Sequence, residues 1–273
     1  MSAPTPPASA SPVSTPPRLR GVPADARRAI VVGASSGIGA ALVRQLAREG
    51  YAVAALARRA DQLLELAAEC ADDAARTGGR VITRAHDVLD TDAIPALFEE
   101  LVRELGGLDL FVFAAGIMPR RGPEEYDTEA DLDMLAVNLG GCIAWCNPTA
   151  NYFRTQRRGT LVGISSVAGD RGRKANPVYG TTKAGMNHYL EALRNRLGES
   201  GVHVCTIKPG FIDTAMTREL ESKPFMISAE AAADRILRAA RGRANTRYVA
   251  RIWFWVMTVI RCIPSFVFRK LNV

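Results

Sequence analysis

Short, mostly apolar runs alternate along the chain with longer stretches in which apolar residues recur at helical spacing. The runs occupy residues 29–32, 51–57, 81–85, 108–114, 160–164, 202–207 and 247–250. Runs of this length, largely free of polar residues, match strands buried on both faces of a sheet. Between them, residues 40–49, 61–76, a stretch ending at Leu105, 128–154 and 179–197 place apolar side chains three and four positions apart, the period of an amphipathic helix. Strands separated by a helix do not form hairpins; the crossover returns the chain in parallel. The expected fold is therefore α/β: a Rossmann-type doubly wound parallel sheet of about seven strands with helices on both faces, in a single domain.

The two ends fall outside this pattern. Residues 1–26 are rich in Pro, Ser and Ala with almost nothing apolar to bury, which predicts a disordered tail. They also lack the apolar run of about seven residues that a secretory signal needs. The alternating pattern covers residues 27–250, and residues 251–273 form a separate basic, aromatic segment.

Composition narrows the class. The chain has 273 residues, 48% of them hydrophobic, enough for one large core. Its five cysteines, Cys70, Cys142, Cys146, Cys205 and Cys262, form no C-x-x-C pair, which predicts reduced thiols and a cytoplasmic setting. His86, His188 and His203 are not spaced as metal ligands, so no metal site is expected. The net charge is +7, yet residues 235–273 hold nine Arg and Lys and no Asp or Glu. Removing those nine from the 35 basic residues leaves 26 against 28 acidic ones, so the excess belongs to the C-terminal part and no nucleic-acid surface is implied.

Candidate chemistry lies where the apolar runs end. The first leads into Gly33-Ala34-Ser35-Ser36-Gly37-Ile38-Gly39 and then a helical pattern. A strand, glycine turn and helix in that order aim backbone N–H groups and a positive helix end at a pyrophosphate. The second run ends in Arg58-Arg59 with no acid, which favours the 2′-phosphate of NADP(H) over NAD(H), although the fold admits both. Farther on, Ser166 is followed thirteen residues later by Tyr179, and Lys183 lies four beyond that. Residues i and i+4 share a helix face, so the ammonium can sit beside a phenol whose ordinary pKa of about 10 otherwise suits it poorly to neutral acid–base work.

Gly33-x-x-x-Gly37-x-Gly39, Ala114-Ala115-Gly116, Asn138, Ser166 with Tyr179 and Lys183, and Pro209-Gly210 occur in order at strand ends. Together they resemble the short-chain dehydrogenase/reductase family over residues 28–250. The resemblance implies that Tyr179 exchanges a proton with the substrate oxygen, Ser166 hydrogen-bonds that oxygen, Lys183 lowers the phenol pKa and holds the nicotinamide ribose, and Asn138 positions a water leading to Lys183. It also implies cofactor contacts from Gly33, Ser35, Ser36, Gly37, Ile38 and Gly39 around the pyrophosphate, and Arg58 at the 2′-phosphate. Asp87 and Val88 would face the adenine, with Ala115, Gly116, Pro209, Gly210, Ile212 and Thr214 along the rest of the cofactor. Ser165 is the neighbouring candidate for the Ser role, disfavoured by its spacing to Tyr179. One position departs from the family pattern: Phe113 stands where Asn is usual, which bears on local architecture.

The expected activity is hydride transfer between NADP(H) and the carbonyl or alcohol of an apolar small molecule, lipid-linked ones included, by a homo-oligomer. The loop 211–227 is apolar and would shape the pocket. Residues 251–270 carry an uncharged run of nine, 252–260, too short to span a bilayer but suited to lie in its interface with Trp253, Trp255, Phe266 and Phe268 inserted. The alternative for this segment is packing over the pocket or a subunit interface. Arg171, Arg173 and Lys174, between Ser166 and Tyr179, suggest a phosphate on the substrate. The run 173–185 and the ending 263–271 are similar to reductases that complete epimerisation of polyprenyl-phosphoryl ribose in arabinan synthesis. A second functional class is also open: a catalytically silent dinucleotide-binding sensor or membrane-surface scaffold on the same fold.

Overall fold

The computed structural model describes residues 27–119, 122, 124–218 and 222–271, and the expected tail 1–26 lies outside them. The chain alternates β1 (Arg28–Val32), α1 (Gly37–Arg48), β2 (Ala52–Ala57), α2 (Ala60–Thr77), β3 (Arg80–Ala85), α3 (Ile94–Leu105) and β4 (Leu110–Phe113). It continues through α4 (Thr128–Leu135), α5 (Gly141–Gln156), β5 (Thr160–Ile164), α6 (Pro177–Leu197) and β6 (His203–Lys208). Two two-residue strands, β7 (Ile212–Asp213) and β8 (Ile227–Ser228), pair across the base of the loop that follows β6. Then come α7 (Ala229–Arg241), β9 (Thr246–Tyr248), α8 (Ile252–Cys262) and α9 (Ser265–Phe268).

The main sheet has seven strands in the order β3-β2-β1-β4-β5-β6-β9, every pair parallel. Strand alternation divides the core into two layers. Ala29 and Val31 of β1 pack with Leu42 and Leu46 of α1, Leu63 and Leu66 of α2, and Ile236 and Leu237 of α7. Ile30 and Val32 face the other way, toward Leu101 of α3, Trp145 and Phe153 of α5, and Leu190 of α6. The helical periods read from the sequence are thus the faces that cover a two-sided sheet.

The expected single helix over 128–154 is interrupted. A π-helical turn, Ala136–Gly140, separates α4 from α5 and carries Asn138. Phe113 is fully buried beneath this junction, and a Cβ on Gly141 would lie 3.6 Å from its ring and 2.9 Å from Val88. Apolar packing occupies the place of the polar strand tie.

Strand order reverses between β1 and β4, and in such sheets the crevice beyond the carboxyl ends at that point is the ligand site. Gly33, Ala114, Ser165 and Pro209 all follow directly on, or one residue past, the ends of β1, β4, β5 and β6.

Candidate active site

Ser165 and Ser166 leave β5 with different tasks. The Ser165 hydroxyl donates to the Lys183 carbonyl at 3.1 Å, fixing the loop to α6. Ser166 Oγ caps a short 3-10 turn, Val167–Asp170, by accepting from the Ala168 N–H at 3.1 Å. The turn packs so closely on α6 that a Cβ on Gly169 would come within 2.6 Å of the Lys183 carbonyl carbon, so only glycine fits there. Val167 N–H donates to Pro209 O at 3.0 Å, which ties the same turn to the end of β6.

Tyr179 and Lys183 lie one helical turn apart on α6, with Lys183 Nζ 5.6 Å from the phenol ring centroid. Burial pushes the Tyr179 phenol above its ordinary value, while the Ser166 hydroxyl and the Arg173 guanidinium oppose that rise. Lys183 is buried as well, and desolvation pulls its ammonium down to about 8. Its Nζ donates to Ile164 O at 3.0 Å. A Cβ on Gly116 would lie 3.6 Å from that Nζ and 3.1 Å from Asn138 Oδ1, so β4, the π-helical turn and α6 converge there. Asn138 is fixed: Oδ1 accepts from Ile117 N–H at 2.7 Å, and Nδ2 donates to Ile117 O at 2.9 Å and Thr182 Oγ1 at 3.2 Å.

Across the crevice, Gly33 has a φ of 89°, and a Cβ there would meet the Ala115 backbone at 2.4 Å, so the glycine lets the turn pass under β4. The first turn of α1 carries no acid, and Ser36 at its N-cap makes no side-chain cap bond, which leaves the start of the helix suited to an anion. Arg59 arches over this turn, donating through Nη2 to Ser35 Oγ and Ser36 Oγ, each at 2.8 Å. Arg58 points elsewhere, 3.7 Å from Asp87, whose Oδ1 also accepts from Leu89 N–H. Side chains at successive extended positions diverge, so adjacent arginines reach different places. Arg59 therefore joins Arg58 as a candidate phosphate ligand. Val88 and Ile212 are buried and Ile38 is half-buried. The Thr214 methyl would stand 3.0 Å from a Cβ on Gly37.

The basic residues between Ser166 and Tyr179 separate in the same way. Arg171 donates to the carbonyl oxygens of Ile260 and Ile263 at 2.6 Å each, closing the C-terminal end of α8. Arg173 is half-buried beside Tyr179, and desolvation lowers its pKa. Asp170 accepts from Lys208 Nζ at 2.5 Å and from Tyr248 OH at 2.6 Å, an interaction of buried groups that sequence spacing does not reveal. Burial first, and Asp170 second, raise the Tyr248 phenol, so it remains a donor. Trp253 of α8 rests on Gly210, where a Cβ would collide with its Nε1. It meets Phe211 and Phe225 edge-on at centroid distances of 5.7 and 5.9 Å. The C-terminal segment thus covers the loop beyond β6. Among the described residues no cluster of His, Cys, Asp and Glu could hold a metal ion.

Residues 27–224 match the family described as short chain dehydrogenase. The uncharacterized oxidoreductase Rv2073c of Mycobacterium tuberculosis is 32% identical over 249 residues, which cover 89% of this chain and 96% of that protein. The 3-oxoacyl-(acyl-carrier-protein) reductase of Bos taurus is 33% identical over 193 residues, 71% of this chain and 78% of that protein. A solved structure, ElxO with NADP bound, shares the fold with a TM-score of 0.72 over 82% of this chain and 97% of its own, at 19% identity.

Proposed function

The chain belongs to the short chain dehydrogenase family of NAD(P)-dependent oxidoreductases, and on that footing we propose that it is an NADPH-dependent reductase acting on the carbonyl of an apolar, lipid-linked substrate. The observation that carries this is the convergence of Ser166, Tyr179 and Lys183 at the crevice, with Arg59 drawn over the glycine turn opposite. The site fits the phosphates of NADP(H): the α1 N-terminus has no acid, and two arginines follow β2. An NADP-bound neighbour of the same fold is consistent with that preference.

When bound, NADPH would supply the hydride for the carbonyl carbon. Tyr179 gives its phenolic proton to the carbonyl oxygen as negative charge gathers there, and Ser166 donates a hydrogen bond to the same oxygen. Burial favours the neutral phenol, the form a reductase requires of its acid. Lys183, held by Ile164 O, lies beside the phenol that must regain a proton after each turnover. Asn138, clamped between Ile117 and Thr182, is the positioning residue for the water expected to lead from Lys183 to solvent.

Two features support the substrate class. Arg173 brings a desolvated cation next to Tyr179, suited to a phosphate close to the reacting carbon. Met216, Phe225 and Met226 are exposed along the 211–227 loop, suited to an apolar chain. The reductase of Bos taurus, named for a 3-oxoacyl substrate, agrees with carbonyl reduction on such a chain. The proposed setting is the cytoplasm, with the chain a homo-oligomer; no helix among the described residues is long and apolar enough to cross a membrane.

NADPH oxidation measured against carbonyl compounds of graded chain length, with and without a phosphate, tests the function. Turnover should rise with chain length, and Tyr179→Phe should abolish it while leaving NADPH binding intact. Unchanged turnover in that variant overturns the catalytic assignment. Cofactor binding without hydride transfer to any carbonyl would make the chain a dinucleotide sensor instead.

A further inference from the structure

Helix α8 is apolar on two faces, and the fold covers only one of them. Trp253 and Met257 are buried, with half-buried Val256 and Ile260, in a cluster with Val167, Tyr248, Ala250 and Phe211. On the opposite side Ile252, Trp255, Val259 and Cys262 follow one another at intervals of three, four and three residues, which places them in one stripe along the helix. All four are exposed, Trp255 at 66% and Val259 at 65%. Phe266 in α9 is exposed to 64% and extends the apolar surface beyond the turn at Pro264.

The end of α8 is fastened to the turn after β5. Arg171 closes the end of α8 through the carbonyls of Ile260, Arg261 and Ile263, and its guanidinium lies 4.1 Å from the centroid of Phe268. The exposed stripe therefore faces outward from a helix anchored on its inner side and at its end. The same segment carries Arg251, Arg261, Arg269 and Lys270, all exposed, in a part of the chain that holds no Asp or Glu beyond Asp234.

We propose that the outer face of α8 and α9 docks on an anionic lipid bilayer, with Trp255, Val259 and Phe266 entering the interface and the basic residues lying at the headgroups. The charge pattern selects this occupant over a second copy of the chain. A twofold contact of the face with itself would set arginine against arginine with no carboxylate in the segment to offset them. Anionic headgroups complement these cations, and a helix of 11 residues with an exposed apolar stripe suits a bilayer interface while being too short to span it. Trp253, on the inner face of the same helix, touches Phe211 and Phe225 of the loop beyond β6. Docking would therefore bring the mouth of the proposed substrate site to the membrane surface, where a lipid-linked substrate resides.

Sedimentation of the full chain with vesicles tests this without cofactor or substrate, so its outcome is independent of the proposed reductase activity. Vesicles of phosphatidylcholine alone are compared with equal parts phosphatidylcholine and phosphatidylglycerol, at low and high salt. The chain should bind the anionic vesicles at low salt, and the pair Trp255→Ser and Val259→Ser should lower binding by about tenfold or more. Arg261→Gln with Arg269→Gln should lower it and weaken, without abolishing, the salt dependence. These positions are exposed, and an unchanged melting temperature verifies that each variant is folded. Failure of the full chain to bind anionic vesicles, or undiminished binding by the Trp255 and Val259 variant, overturns the proposal. So does a lipid-free mass that falls from dimer to monomer in that variant with no vesicle binding by the parent, since the face would then be a subunit contact.

Discussion

The hydroxyl of Ser165 donates to the backbone carbonyl of Lys183 at 3.1 Å, so the residue beside the proposed catalytic serine is itself a fastening between the end of β5 and α6. Neighbours of identical chemistry divide positioning from reaction. Ser165→Ala should cost about 1 kcal/mol of stability, the usual worth of one hydrogen bond, and leave most of kcat. Ser166→Ala should lower kcat by about a hundredfold or more, as loss of a donor to the developing oxyanion does. Denaturant titration and steady-state kinetics on both variants separate the two effects, and equal losses of kcat would contradict the division.

Arg59 and Arg58 give a second contrast. Arg59 stands over Ser35 and Ser36, whereas Arg58 is drawn toward Asp87. Arg59→Ala should weaken NADPH binding by about tenfold to a hundredfold, matching a charge-assisted hydrogen bond of about 1.5–3 kcal/mol, with NADH binding little changed. Arg58→Ala should weaken NADPH binding less. Fluorescence titration with both dinucleotides measures the ratio, and an equal loss for NADH would remove Arg59 from 2′-phosphate recognition.

Asp170 holds a buried charge in place. Its carboxylate side chain is 2% exposed and that of its partner Lys208 12%. Asp170→Asn would leave the Lys208 ammonium without its counter-charge and is expected to cost about 3–5 kcal/mol in chemical denaturation. Replacing Tyr248 by Phe removes only a neutral donor and should cost about 1–2 kcal/mol. A smaller loss for Asp170→Asn than for Tyr248→Phe would show that the ion pair does not hold the turn.

Lys183 predicts a pH dependence of stability. Its folded pKa, about 8, lies below its ordinary 10.5 because burial disfavours the charged form. Below pH 8 the lysine is charged in both states and burial is a full penalty. Between pH 8 and 10.5 only the unfolded chain holds the proton, so stability rises with pH across that window. Relative to Lys183→Met, the cofactor-free chain should gain about 3 kcal/mol between those limits. A pH-independent difference between the two chains would refute it.

The sheet and the Tyr179–Lys183 pair were legible in the sequence because both are local periodicities: apolar runs for β1 to β6, and a four-residue step on one helix. The glycine turn was legible for the same reason. What escaped depends on distance or direction. Arg171 finds its partners 89 to 92 residues away, and Asp170 joins residues 38 and 78 positions on. The π-helical turn at Asn138 keeps apolar spacing that a continuous helix would also show. Arg58 and Arg59 are chemically alike, so which one reaches the glycine turn is decided by the extended backbone leaving β2.

The close approach of Thr214 to Gly37 has a kinetic consequence. With a pyrophosphate on this turn, as proposed, Thr214 would stand beside it, and the loop would have to yield for the cofactor to leave. The dinucleotide would then be first to arrive and last to leave, with the carbonyl compound and its alcohol exchanging between those events. Product inhibition by NADP should accordingly be competitive with NADPH alone.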